Sequence, residues 1–249
     1  MHQDVQDLRN FYYRSALGRA VQKTLSAEIH AMWPESKGQT VLGYGFATPF
    51  LRRYLADSRR VIALMPAPQG VVRWPREAPN VSVLCEETFW PLETGHVDKL
   101  LVVHGVESTD RPRDLLQECW RVLGPGGSAL FVVPNRAGLW SRSDRTPFGY
   151  GRPYSQSQLE ALLKACNFMP ETHVTTLFQP PSNRRFWLKT AGMWEKLGGS
   201  LSFVAAGGVL IVQASKRIQA PSSGSAIRDT VRKPLEALAP KPKGEVKPA

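Results

Sequence analysis

The stretch of the chain best suited to chemistry runs from Thr40 to Leu51, with the sequence TVLGYGFATPFL. Its apolar start predicts a buried strand, Gly43 and Gly45 predict a tight turn, and the following residues predict the start of a helix. Doubly wound α/β folds use such a unit to present backbone N–H groups to nucleotide-like cofactors. We therefore expect Gly43 and Gly45 to lie beside a cofactor; the alternative is a tight turn without a ligand.

Two sets of titratable residues follow predicted strands. His104 ends the apolar run 98–104, at the carboxyl end of a strand, where open α/β sheets bind their ligands. It can act as a general base near neutral pH, or it can be a hydrogen-bonded residue of the core or its rim. Glu86 and Glu87 follow the run 80–85 and either bind the amino group of a ring or form a solvated loop.

A long loop rich in arginine and aromatic residues follows the predicted strand 128–134. Guanidinium groups suit phosphate or carboxylate, and aromatic rings suit a flat ligand. Loops of about 20 residues are usually functional or disordered, and the aromatic content favours a functional one. We predict that it binds a substrate or a partner; the alternative is a lid that closes the fold. The candidate residues are Arg136, Trp140, Arg142, Arg145, Tyr150, Arg152 and Tyr154.

Strands that alternate with helices predict a doubly wound α/β fold with a mostly parallel sheet. Ser155 and Gln158 predict a capping box, and the GPGG sequence at 124–127 predicts the end of a helix. The predicted elements are a helical region at 1–35, strands at 40–45, 60–65, 80–85, 98–104, 128–134, 172–178 and 207–215, and helices at 48–56, 113–123, 155–167 and 185–197.

The 249 residues carry a net charge of +11, of which +5 lies from Lys216 onward. This terminal stretch is rich in proline and lacks aromatic residues, which predicts a disordered basic tail. The expected domains are an N-terminal helical cap at 1–38, a main domain at 39–216 and the tail at 217–249. Three cysteines without CxxC spacing disfavour zinc or a disulfide framework, so no metal is expected. With no signal peptide visible, we expect a cytoplasmic protein without a membrane span.

Four motifs, in this order and over about residues 39–216, resemble the class I S-adenosylmethionine-dependent methyltransferases. They are the turn Gly43-Tyr44-Gly45, the acidic Glu86 with Pro91 five positions later, the strand that ends at His104, and the helix-to-turn sequence QECWRVLGPGG at 117–127. The resemblance implies a seven-strand, Rossmann-like sheet whose last strand is antiparallel. It also implies S-adenosylmethionine as the cofactor, held by Gly43, Gly45, Met65 and Glu86, with His104 as the catalytic residue.

The chain departs from the family at two positions. Val41 stands where the first motif has an acidic residue, and Met65 stands where a carboxylate accepts the ribose hydroxyls. A lost charge-assisted hydrogen bond costs about 1.5 to 3 kcal/mol of affinity, which counts against S-adenosylmethionine and equally against NAD.

Two functions follow from the sequence. The first is an S-adenosylmethionine-dependent methyltransferase with an unknown small-molecule or protein acceptor. The second is a non-catalytic protein of the same fold that binds a partner through the aromatic-basic loop. Nucleic-acid binding rests on charge alone.

Overall fold

The computed structural model describes residues 3–182, 184, 187, 190 and 207–217. Its sheet has seven strands in the order β3-β2-β1-β4-β5-β7-β6. Strands β1 to β5 run parallel to one another, and β7 is antiparallel to both β5 and β6. The predicted fold class is confirmed. The strands are β1 (Thr40–Gly45), β2 (Arg60–Pro66), β3 (Ser82–Cys85), β4 (Val97–Val103), β5 (Leu123–Pro134), β6 (Phe168–Thr176) and β7 (Val209–Lys216).

Helices cover the sheet, and the N-terminal ones are interrupted rather than continuous. A π-helical turn (Asn10–Arg14) follows α1, and Ser15 begins the next helix by accepting a hydrogen bond from the Gly18 N–H at 2.8 Å. Apart from Trp187 and Thr190, the predicted helix at 185–197 lies outside the described residues, as does the predicted tail beyond Arg217. The α-helices are α1 (Val5–Arg9), α2 (Ala16–Met32), α3 (Thr48–Leu51), α4 (Pro112–Val122) and α5 (Gln156–Ala165); α3 continues as a 3₁₀ turn at Arg52–Leu55.

Strand β1 is buried along its whole length because helices cover both faces of the sheet. Its side chains alternate between two cores. Val41 packs in the core beneath α2, while Leu42 and Tyr44 pack in the core beneath α4 and α5. The alternation explains why the strand contains no charged residue, since neither face reaches water.

Two strands begin several residues before their predicted starts. The GPGG sequence belongs to β5, which begins at Leu123 directly after α4 and pairs with β4 across a register shift between Val97 and Lys99. Strand β6 begins at Phe168, four residues before the predicted start. Its early residues pair with Ser215 and Lys216 of β7, and this distant pairing is invisible in local sequence. The predicted capping box of α5 is confirmed, with Ser155 and Gln158 bonded reciprocally.

An ion pair on α4 fixes the loop that follows β3. Glu118 accepts hydrogen bonds from the Arg121 guanidinium at 2.8 and 2.9 Å and from the Trp90 N–H at 2.9 Å. Arg121 also donates to the carbonyl oxygens of Trp90 and Leu92. Burial raises the pKa of Glu118, but these hydrogen bonds lower it by more, and the net effect is a lowered pKa.

This lowered pKa predicts a pH-dependent contribution to stability. The ionised Glu118 stabilises the fold above its ordinary pKa of 4.5, and the contribution is lost as the pH falls through the lowered value. We expect Glu118→Gln to reduce the free energy of unfolding at pH 7 and to differ little from the parent in acid. Urea denaturation at several pH values measures this. Glu93→Gln, at an exposed carboxylate, is the control, and an equal loss at every pH would contradict the prediction.

Candidate functional site

The crevice between the carboxyl ends of β1 and β4 is the place where this fold binds ligands, because the strand order reverses there. The two strand ends are joined directly, since the Phe46 N–H donates to the Val103 carbonyl oxygen at 2.8 Å. Gly45 permits this contact. Its φ is +75°, and a Cβ would lie 2.2 Å from the Val103 oxygen. Any other residue at position 45 would force the strand ends apart.

Gly43 serves packing within the same unit. A Cβ at Gly43 would lie 2.6 Å from a methyl group of Leu51 and 2.7 Å from Cβ of Ala47. The missing side chain therefore lets α3 pack closely on β1. The structure places both predicted glycines in the buried interior, where neither meets solvent.

The N-terminal segment, defined here as residues 3–14, covers this crevice. The Tyr12 ring stacks on Phe46 with centroids 5.8 Å apart and meets Phe50 edge-on at 5.6 Å. The backbone N–H of Val5 donates to the Gln69 carbonyl oxygen at 2.9 Å, which ties the segment to the loop after β2. Both Tyr12 and Phe46 have no exposed surface. Aromatic rings of the chain itself thus fill the crevice.

His104 lies at the end of β4, in contact with this segment. Its Nε2 is 2.7 Å from the Tyr12 hydroxyl, and its Nδ1 is 3.1 Å from Oε1 of Glu107. The Phe148 ring lies 4.8 Å from the imidazole, and His104 adopts a left-handed backbone with φ of +53°. The three polar side chains form one hydrogen-bonded row, in which the Tyr12 hydroxyl donates to Nε2 and the Nδ1 proton is donated to Glu107.

The row is fully enclosed. His104 is 1% exposed and Glu107 is 2% exposed. Burial raises the pKa of Tyr12 well above its ordinary value, and the nearby Glu107 raises it further. Tyr12 is therefore a neutral phenol at physiological pH and keeps the proton that it donates in the hydrogen bond. In this state His104 contacts no solvent, so its role as a general base stays a prediction.

The remaining predicted cofactor residues do not share one surface. Met65, the penultimate residue of β2, has no exposed area, and its sulfur accepts a hydrogen bond from the Val72 N–H at 3.4 Å. Val41 is likewise buried within β1. Glu86, by contrast, is exposed beyond the end of β3, close to Phe89, which is 75% exposed.

The loop at 135–154 divides its arginines from its aromatic rings. Trp140 and Tyr154 are buried, and the Trp140 indole donates to the Gln179 carbonyl oxygen at 2.7 Å. Tyr150 is partly exposed. The aromatic residues therefore anchor the loop to the core, while the guanidinium groups are left on its surface. These exposed residues are Arg136, Arg142, Arg145 and Arg152.

The chain is similar to a known protein family in sequence and to solved structures in fold. Residues 41–131 match the model of a methyltransferase domain family. Over these residues the chain is similar to methyltransferase domains, and its seven-strand sheet has the class I methyltransferase fold. No curated protein is similar enough to match the chain. Among the described residues, no helix is both long and apolar enough to cross a membrane.

Three solved structures illustrate the shared fold. A methyltransferase of Thermotoga maritima, described as a possible histamine N-methyltransferase, is 18% identical with a TM-score of 0.58, and the match covers 81% of this chain and 91% of that one. An S-adenosylmethionine-dependent methyltransferase of Archaeoglobus fulgidus is 17% identical with a TM-score of 0.58. The match covers 86% of this chain and 100% of that one. A putative methyltransferase of Haloferax volcanii, in complex with the activator Trm112, is 13% identical with a TM-score of 0.58. The match covers 87% of this chain and 94% of that one. At these identities the likeness shows the fold alone.

The residues of this chain do not fit S-adenosylmethionine in the conformation described. A crevice that holds this cofactor has walls within reach of water when it is empty, yet Phe46, Met65 and His104 are each 1% exposed or less. Met65 offers a thioether where the family offers a carboxylate, and a thioether is a weak acceptor for ribose hydroxyls. The crevice therefore lacks both the space for the cofactor and a charged acceptor for its ribose hydroxyls.

Sequence reasoning missed three residues that decide this geometry, namely Tyr12, Phe46 and Glu107. In the sequence, Tyr12 is one of several apolar positions in the N-terminal helical region, and Phe46 is an aromatic residue directly after Gly45. The spacing of His104 and Glu107, three residues apart, was the one local signal of an interaction.

The hydrogen bond between Tyr12 and His104 predicts a measurable cost when it is removed. Tyr12→Phe keeps the ring but leaves Nε2 of His104 buried without its donor, so we expect the free energy of unfolding to fall by about 1 to 3 kcal/mol. We also expect trypsin to cleave faster after Arg9 and Arg14, because the N-terminal segment is held less firmly. Tyr150→Phe is the control. Unchanged stability and unchanged cleavage in Tyr12→Phe would contradict the prediction.

Proposed function

We propose that this protein is a non-catalytic member of the methyltransferase family and acts as a binding protein. The observation that carries the proposal is the closed crevice, in which Tyr12 and Phe46 have no exposed surface and His104 has 1%. Methyl transfer requires a bound sulfonium and an acceptor held in line. A crevice filled by the chain's own rings has room for neither.

The chemistry of Met65 supports the same conclusion. The ribose hydroxyls of S-adenosylmethionine need a strong acceptor, and two charge-assisted hydrogen bonds contribute about 1.5 to 3 kcal/mol each. Met65 has no exposed area and a thioether side chain. Opening the crevice would therefore restore space but not the missing acceptor.

The exposed arginines of the 135–154 loop support a binding role. Arg142 and Arg145 present guanidinium groups to solvent, and such groups form paired hydrogen bonds with carboxylate or phosphate. A protein of this fold in Haloferax volcanii forms a complex with an activator protein. A protein partner for this chain is in keeping with both observations.

Calorimetric titration of the full chain with S-adenosylmethionine and with S-adenosylhomocysteine tests the proposal. We expect no saturable binding of either at millimolar ligand, because the crevice is filled. Dissociation constants in the micromolar range, or about −8 kcal/mol of binding free energy, would overturn the non-catalytic assignment.

A pair of variants separates the two physical reasons for which S-adenosylmethionine is expected not to bind, namely the filled crevice and the missing ribose acceptor. Phe46→Ala removes a ring from the crevice, and Phe89→Ala removes an exposed ring elsewhere. Binding that appears in Phe46→Ala alone would make space the decisive factor. No binding in either variant would make the missing ribose acceptor decisive.

The second candidate is a methyltransferase whose N-terminal segment moves aside. The family match at residues 41–131 favours it, and its acceptor is not identified by the residues of the site. The same titration decides between the two candidates, since a methyltransferase must bind its cofactor.

A further inference from the structure

A second cavity, distinct from the closed crevice, lies beside the N-terminal segment. Its volume is about 340 Å³, at the lower end of the range for small-molecule sites. We call it the arginine pocket, because five arginines line it. They are Arg9, Arg14, Arg52, Arg73 and Arg76.

Three separate parts of the chain bring these arginines together. Arg9 and Arg14 come from the N-terminal segment, Arg52 follows α3, and Arg73 and Arg76 belong to the connection between β2 and β3. Gathering five like charges around one concave surface costs electrostatic free energy. A bound anion would relieve that cost.

Few of these charges are neutralised within the protein. Glu77 is the one carboxylate among the lining residues, and it lies 3.8 Å from Arg52 with both side chains exposed, so this ion pair is weak. The guanidinium groups of Arg14, Arg73 and Arg76 form no ion pair or hydrogen bond with any residue that the structure describes. They keep their donors for a ligand.

The pocket also has uncharged walls that give it a defined shape. Trp74 is 7% exposed and forms the floor on the side of the β2–β3 connection. Tyr13 is 40% exposed, and burial raises the pKa of its hydroxyl, which remains a neutral donor. Thr48 lies next to it and shares a hydrogen bond with it.

We propose that the arginine pocket binds a small molecule that carries a phosphate or diphosphate group. Guanidinium forks match phosphate oxygens in geometry and charge, and a net lining charge from five arginines and one glutamate favours a multiply charged anion. Nucleic acid is the weaker fit, because a bounded cavity accommodates one or two phosphates and does not follow a backbone. The ligand differs from S-adenosylmethionine, which is cationic at sulfur.

Ligand binding here is coupled to closure of the crevice. The N-terminal segment supplies Arg9, Tyr13 and Arg14 to the pocket and Tyr12 to the crevice. A phosphate that bridges these arginines to Arg73 and Arg76 holds the segment in its closed position. The proposed phosphate site therefore requires the N-terminal segment in its closed position. It does not depend on whether S-adenosylmethionine binds when the segment is displaced.

Titration of the full chain with inorganic pyrophosphate, at low ionic strength in a chloride buffer, tests the pocket. We expect saturable binding, and Arg73→Gln/Arg76→Gln should weaken it about a hundredfold, or tenfold for each guanidinium. Arg60→Gln/Arg217→Gln, at two exposed arginines outside the pocket, should change the affinity less than about threefold. Titration with ADP repeats the test with a diphosphate ester, so that free anion and ester are distinguished.

Three results would overturn the proposal. The first is no binding of either pyrophosphate or ADP by the intact chain. The second is equal weakening by the two double variants, which would mean general attraction to a basic protein. The third is binding of a single-stranded oligonucleotide that is far tighter than that of pyrophosphate and is unaffected by Arg73→Gln/Arg76→Gln. Because these titrations contain no S-adenosylmethionine, their outcome is separate from that of the proposed function.

Discussion

The hydrogen bond between the Tyr12 hydroxyl and Nε2 of His104 is the interaction on which the functional end of this structure depends. It joins the N-terminal segment to the end of β4 at 2.7 Å, in a place that water does not reach. A buried imidazole needs partners for both ring nitrogens, and Tyr12 and Glu107 supply them. Without Tyr12 the segment would lose a buried hydrogen bond to His104, and Phe46 would lose the ring stacked on it.

The N-terminal segment contributes side chains to two different environments, one apolar and one strongly basic. One side of it is apolar and aromatic and closes the crevice, while the next residues along the chain, Tyr13 and Arg14, line a basic cavity. Tyr12, Tyr13 and Arg14 are consecutive residues of one π-helical turn, so their side chains leave the backbone in different directions. Closure of the crevice and assembly of the arginine pocket are therefore one structural event.

The matched methyltransferase domain and the shared fold account for the strand framework of this protein better than for its candidate site. The strand order, the antiparallel β7 and the glycine turn follow the family. Met65 and Phe46, which lie where the resemblance places the cofactor, are apolar and have no exposed surface. Burial of these apolar side chains stabilises the carboxyl end of the central strands, which an open crevice would expose to water.

The sequence by itself determined the order of strands and helices, the capping box of α5 and the loss of a carboxylate at Met65, because apolar period, capping residues and motif spacing are local properties. Only the tertiary structure decided what fills the crevice. Tyr12 and His104 are 92 positions apart, and the five arginines come from three segments whose proximity depends on how the N-terminal segment docks. Contacts of this kind arise from packing between distant segments, which leaves no periodic trace in the sequence.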